Sequence, residues 1–105
     1  MLYLLNSPIL TAYGTYKFKK LSKEEVVAML KNELWVSVIG HQATADFLSQ
    51  ELDMEIPANR QAIKMERGDR AIVFRLYGRF PEGKILSREE LENFDYELAL
   101  LERVE

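Results

Sequence analysis

Trp35-Val36-Ser37-Val38-Ile39-Gly40-His41-Gln42-Ala43-Thr44 changes character once, at Gly40, and that change decides the fold class. The first five residues are a β-branched and aromatic run, the composition of a buried strand, and Gly40 ends it. From Gln42 to Leu52 the apolar residues recur with helical period, with Ala45, Phe47, Leu48 and Leu52 on or near one face. Working back toward the N-terminus, Ser22 and Glu25 stand three apart as a capping box, which predicts a helix from Lys23. Val26, Val27, Met29 and Leu30 give that helix its apolar face, which fades near Asn32. Thr15 to Lys19 alternates in polarity as a half-exposed strand does, and Tyr3-Leu4-Leu5 reads as a short buried strand broken by Asn6-Ser7-Pro8.

Toward the C-terminus, Pro57 and Asn59 mark a loop. Ile63 and Met65, then Arg67-Gly68-Asp69-Arg70 and Ala71 to Tyr77, predict a hairpin of two strands around a Gly-Asp turn. Residues 78–83 read as a loop. Ser87 with Glu90 forms a second capping box ahead of a short helix carrying Leu91 and Phe94, and Tyr96 to Val104 is a closing strand. No repeat or linker interrupts residues 1–105, so one domain is expected. Strands and helices alternate irregularly. The expected fold class is α/β (α+β): a single mixed, mainly antiparallel sheet of five or six strands with helices packed on it.

The composition supports this and narrows the function. The chain has 105 residues, 48% hydrophobic and 30% charged, the balance of a globular domain. The absence of Cys removes disulfides, thiolate nucleophiles and Cys-type zinc sites. A net charge of −3 argues against a protein that coats DNA or RNA, while leaving room for a local basic pocket. The apolar start, Met1 to Leu5, has no basic leader and reaches Asn6 after five residues, so no targeting segment is read there. No apolar run approaches the ~20 residues of a membrane-spanning helix. A cytoplasmic location with no membrane partner is expected.

The one histidine, His41, follows Gly40 where the strand gives way to the helix. Free N–H groups and the helix dipole favour an anion there, and a histidine beside a phosphate can donate a proton near neutral pH. The bland alternative is a surface residue at a helix start. Arg79-Phe80-Pro81-Glu82-Gly83-Lys84 sets a guanidinium and a carboxylate three apart, and arginine's planar fork suits phosphate; the alternative is an exposed ion pair. Arg60, beside Asn59, precedes the expected hairpin, whose Arg67 and Arg70 read as solvated charges. Arg75 is expected on the sheet side away from the core. The Asn6-Ser7-Pro8 segment reads as a turn, or alternatively as a segment whose polar groups contact ribose or phosphate. A lone His makes a metal site improbable, and no Gly-rich phosphate loop or serine elbow is present.

Taken together, these segments resemble the small type III anti-CRISPR ring nucleases of archaeal viruses, bacteriophages and mobile elements. The resemblance rests on Asn6 after the first strand, on Ile39-Gly40-His41-Gln42-Ala43-Thr44 in place of that family's I-G-H-x-x-T, and on Asn59-Arg60 ahead of a strand. It is completed by Arg79-x-x-Glu82-Gly83-Lys84-Ile85-Leu86 before a helix start. Order and intervals agree along nearly the whole chain, except that Ser7-Pro8 replaces a helical-looking stretch. The resemblance implies a homodimer that binds cyclic tetra-adenylate across its two-fold axis and cleaves it, without metal or other cofactor, into linear di-adenylates. It implies His41, Arg79 and Glu82 as catalytic residues and Asn6, Gly40, Gln42 and Arg60 as ligand-binding ones. The competing readings are a non-catalytic nucleotide sponge or protein-interaction module and, disfavoured by charge, a DNA-binding regulator.

Overall fold

The computed structural model describes residues 1–6, 12–61, 63–77 and 95–105, with Leu76 and Tyr77 described by their backbone only. Five strands and two helices lie among them: β1 (Leu2–Leu5), β2 (Tyr16–Leu21), α1 (Lys23–Asn32), β3 (Trp35–Ser37), α2 (Gln42–Leu52), β4 (Arg70–Tyr77) and β5 (Asp95–Arg103). The strands make one sheet in the order β2-β5-β4-β1-β3. β1 runs parallel to both its neighbours, over three residue pairs with β3 and four with β4. β5 runs antiparallel to β4 over eight pairs and to β2 over six. The sheet is mixed and mainly antiparallel, an α+β fold as the sequence predicts.

Both halves of the first capping box form. Ser22 Oγ accepts from Glu25 N at 3.1 Å, and Glu25 Oε1 accepts from Ser22 N at 3.0 Å. That backbone hydrogen bond from Ser22 holds the Glu25 carboxyl below its ordinary value. Both helices pack on one face of the sheet. Val26 and Leu30 of α1 and Phe47, Leu48 and Leu52 of α2 meet Leu4, Ile72, Phe74 and Leu98 of the strands. Phe47, Phe74 and Tyr96 form a triangle with ring centroids 5.5–5.6 Å apart. The opposite face carries a second cluster in which Leu5, Val38, Ala71, Val73 and Leu101 pack with Met65.

That second cluster corrects the expected hairpin. Residues 63–66 form no strand. β4 has β1 on one edge and β5 on the other, so no edge is left for a strand from its own N-terminal side. Ile63 and Met65 instead pack on the helix-free face, with Met65 O accepting from Arg103 Nη1 at 2.6 Å. The turn itself is present. Asp69 N donates to Glu66 O at 2.9 Å, and Gly68 takes φ +90°, a backbone state a residue with a Cβ seldom adopts. β3 is also shorter than read, ending at Ser37 with Val38 and Ile39 still buried. The 78–83 loop and the helix expected after Ser87 lie outside the described residues.

Candidate functional site

Parallel pairing brings three strand exits to one edge of the sheet. Leu4 lies opposite Ser37, Val38 N donates to Leu4 O at 2.8 Å, and Leu5 lies opposite Val73. Half-buried Asn6 therefore leaves the sheet on the same edge as Gly40, and β4 runs on past them in the same direction to Tyr77. The carboxyl ends of parallel strands are a recurrent place for ligand sites, because loops there gather side chains and helix N-termini without breaking the sheet.

His41 is the N-cap of α2 and takes an extended conformation, φ −126° and ψ 130°. It is exposed, and its side chain makes no capping hydrogen bond. The first turn of α2 carries no acidic residue. Gln42 opens the helix, but its Nε2 donates to Asp46 Oδ1 at 2.8 Å, one turn along.

Arg60 reaches this corner by a route the sequence does not announce. α2 ends at Asp53, whose left-handed φ of 53° reverses the chain. The following segment retraces the helix and is fastened to the fold twice. Ser49 Oγ accepts from Ile56 N at 2.9 Å and has two carbonyl oxygens within reach of its own O–H, Ala45 O at 2.8 Å and Ile56 O at 3.2 Å from Oγ. Ser37, 5% exposed, donates through Oγ to Pro57 O at 2.6 Å. Asn59 then donates its backbone N–H to Ile39 O at 2.9 Å and its side-chain amide to Ser37 O at 2.7 Å. Residues 57–59 thus lie along 37–39, and the next residue on each side is Gly40 and Arg60. A Cβ built on Gly40 would stand 3.6 Å from Arg60 Cγ and 4.0 Å from Cδ.

The structure therefore brings the Arg60 side chain against Gly40, which His41 and Gln42 follow directly in the chain, and puts Asn6 on the same edge. Arg79 and Glu82 lie outside the described residues. Among the described residues no group of three or more His, Cys, Asp or Glu gathers as a metal site would require. Arg75 is exposed, as expected. Ser37 and Ser49 escaped the sequence reading as contributors to this corner. The signal for Ser37 was present: a hydroxyl inside the apolar run from Trp35 to Ile39 must find hydrogen-bond partners once buried.

Fold and site define a small α+β domain with a helix N-terminus, a histidine and an arginine held at one edge of a mixed sheet. The chain belongs to the STIV B116-like family, whose model matches residues 2–98. It is similar to uncharacterized protein 26 of Sulfolobus islandicus filamentous virus, 39% identical across 99% of this chain and 92% of that protein. It is also similar to YddF of Bacillus subtilis, 38% identical across 96% of this chain and 95% of that one. B116 of Sulfolobus turreted icosahedral virus shares the fold, with a TM-score of 0.84 at 22% identity over 97% of this chain and 98% of that one. No helix among the described residues is long and apolar enough to cross a membrane.

Proposed function

We propose that this protein is a metal-independent ring nuclease, acting as a homodimer that binds cyclic tetra-adenylate and cuts it into two linear di-adenylates, so countering type III CRISPR signalling. The observation that carries this reading is the approach of the Arg60 side chain to Gly40, immediately before His41 at the N-terminus of α2. A phosphodiester seated there faces free backbone N–H groups, a guanidinium and an imidazole. The ligand's own ribose 2′-oxygen attacks phosphorus, the bond from phosphorus to the 5′-oxygen breaks, and a 2′,3′-cyclic phosphate is left. His41 gives its proton to the departing 5′-oxygen, and Glu82 either orients the site or helps to take up the proton that the 2′-hydroxyl releases. Arg60 and Arg79 offset the charge growing on the phosphate oxygens. Asn6 and Gln42 contact the ligand around this centre.

The reaction draws its nucleophile from the substrate, which suits a chain with one His and no Cys. Purified protein incubated with cyclic tri-, tetra- and hexa-adenylate in excess EDTA is expected to convert the tetramer into di-adenylates ending in cyclic phosphate, read by chromatography. Cleavage that stops on chelation and returns with Mg²⁺ or Mn²⁺ overturns the mechanism. Tight binding with no product overturns the enzyme assignment in favour of a nucleotide sponge.

A further inference from the structure

We infer that Ser37 and Asn59 are positioning residues that set where the Arg60 guanidinium stands relative to His41. This rests on the proposed reading of Gly40, His41 and Arg60 as one site. Arg60 is exposed and carries a long, rotamer-rich side chain, and such a group contributes to a site only when its backbone is fixed. Its own segment supplies no regular secondary structure: residues 55–61 are neither helix nor strand. Pro57 has no N–H and cannot complete a ladder with the end of β3.

Side chains supply the missing bonds. The buried Ser37 hydroxyl donates to the Pro57 carbonyl and receives Ile39 N at 3.4 Å, so one oxygen ties the end of β3 to the returning chain. Asn59 closes the same gap from the other side with two donors, to Ile39 O and Ser37 O. Ser37 and Asn59 thus clasp the 37–39 and 57–59 segments just before Gly40 and Arg60. Without the Asn59 amide the segment keeps its anchors at Ile56 and Pro57, while the residue next to Arg60 loses one of its two links. The effect is therefore expected on Arg60 rather than on the core.

The test is Asn59→Ala, alone and combined with Arg60→Ala. Asn59 is exposed, so the fold should survive; Asn59→Leu, which keeps much of the side-chain volume and removes the donor without adding charge, stands in if it does not. Two readings are taken: ¹⁵N relaxation of the Arg60 Nε–H, which needs no ligand, and titration with cyclic tetra-adenylate. Asn59→Ala is expected to lower Arg60 side-chain order and weaken affinity by about 3–10-fold, the effect of one hydrogen bond. It is expected to add little further loss in the Arg60→Ala background. Unchanged Arg60 order, or an equal loss of affinity with and without Arg60, overturns the inference. Failure of the wild-type protein to bind the ring overturns the functional reading, and the relaxation measurement then still decides the clasp.

Discussion

His41 holds a position where losing its side chain costs the fold little. It caps α2 through its backbone while its imidazole makes no capping bond, so His41→Ala removes the ring and leaves the helix start intact. On the proposed mechanism that substitution separates binding from chemistry. The phosphate keeps its backbone donors and its arginines, but the leaving 5′-oxygen loses its acid, and the chain holds no second histidine to replace it. Affinity for cyclic tetra-adenylate is expected to stay near wild type while single-turnover cleavage slows by roughly 10²–10⁴-fold. Near-normal cleavage would remove the acid role. Lost affinity with normal maximal turnover would recast His41 as an anchor for the ligand.

Among the elements, β5 is tied to both helices through one carboxylate. Tyr96 donates its hydroxyl to Glu51 Oε1 at 2.9 Å, and Lys23 Nζ lies 3.3 Å from the same oxygen. Burial and the Glu51 carboxylate raise the Tyr96 pKa above the ordinary 10.0. A raised tyrosine pKa means that the folded state favours the neutral phenol. Its contribution is complete below the ordinary value and is lost as pH climbs above it. Tyr96→Phe is expected to cost about 1 kcal/mol near neutral pH, which is about 4–8 °C in Tm for a domain of this size. Thermal melts of the two proteins should draw together as pH rises past 10.0. A constant gap up to alkaline unfolding would show that the hydroxyl titrates without consequence.

Element boundaries show where local reading succeeds and where it fails. The start of α1 is legible because its capping box and apolar period lie within a few residues of each other, and α2 is legible because Gly40 ends the strand before it and its apolar period runs from Gln42 to Leu52. The expected hairpin before β4 is wrong for a nonlocal reason. Ile63 and Met65 are apolar and flank a real turn, but the strand edges they would need are taken by β1 and β5, which lie far away in sequence. The site divides in the same way. Gly40-His41 is visible as a strand-to-helix junction, whereas the approach of Arg60 depends on Ser37, Ser49 and Asn59 acting across the chain fold.

At the scale of the whole molecule, the proposed function asks a chain of net charge −3 to bind a ring that carries four phosphates, so on that reading its basic groups have to act locally. A four-fold ring offers two equivalent halves to a two-fold protein, which is why one copy of this corner is expected to serve one half. Tyr13, Phe18 and Leu34 remain exposed in the single chain. Sedimentation at micromolar concentration is expected to give a dimer with and without the ring; a monomer in both conditions would count against the two-fold arrangement. The chain that returns from Asp53 to Arg60 has a further consequence, for how this fold tolerates insertions. Because it runs back along α2, its length and the helix's length are coupled. One added helical turn moves the far end of α2 by about 5.4 Å, and only one or two extra extended residues, at about 3.3 Å each, restore the reach. A lengthening of the helix alone would leave His41 in place and draw the arginine away from it, so the two segments are free to grow only as a pair.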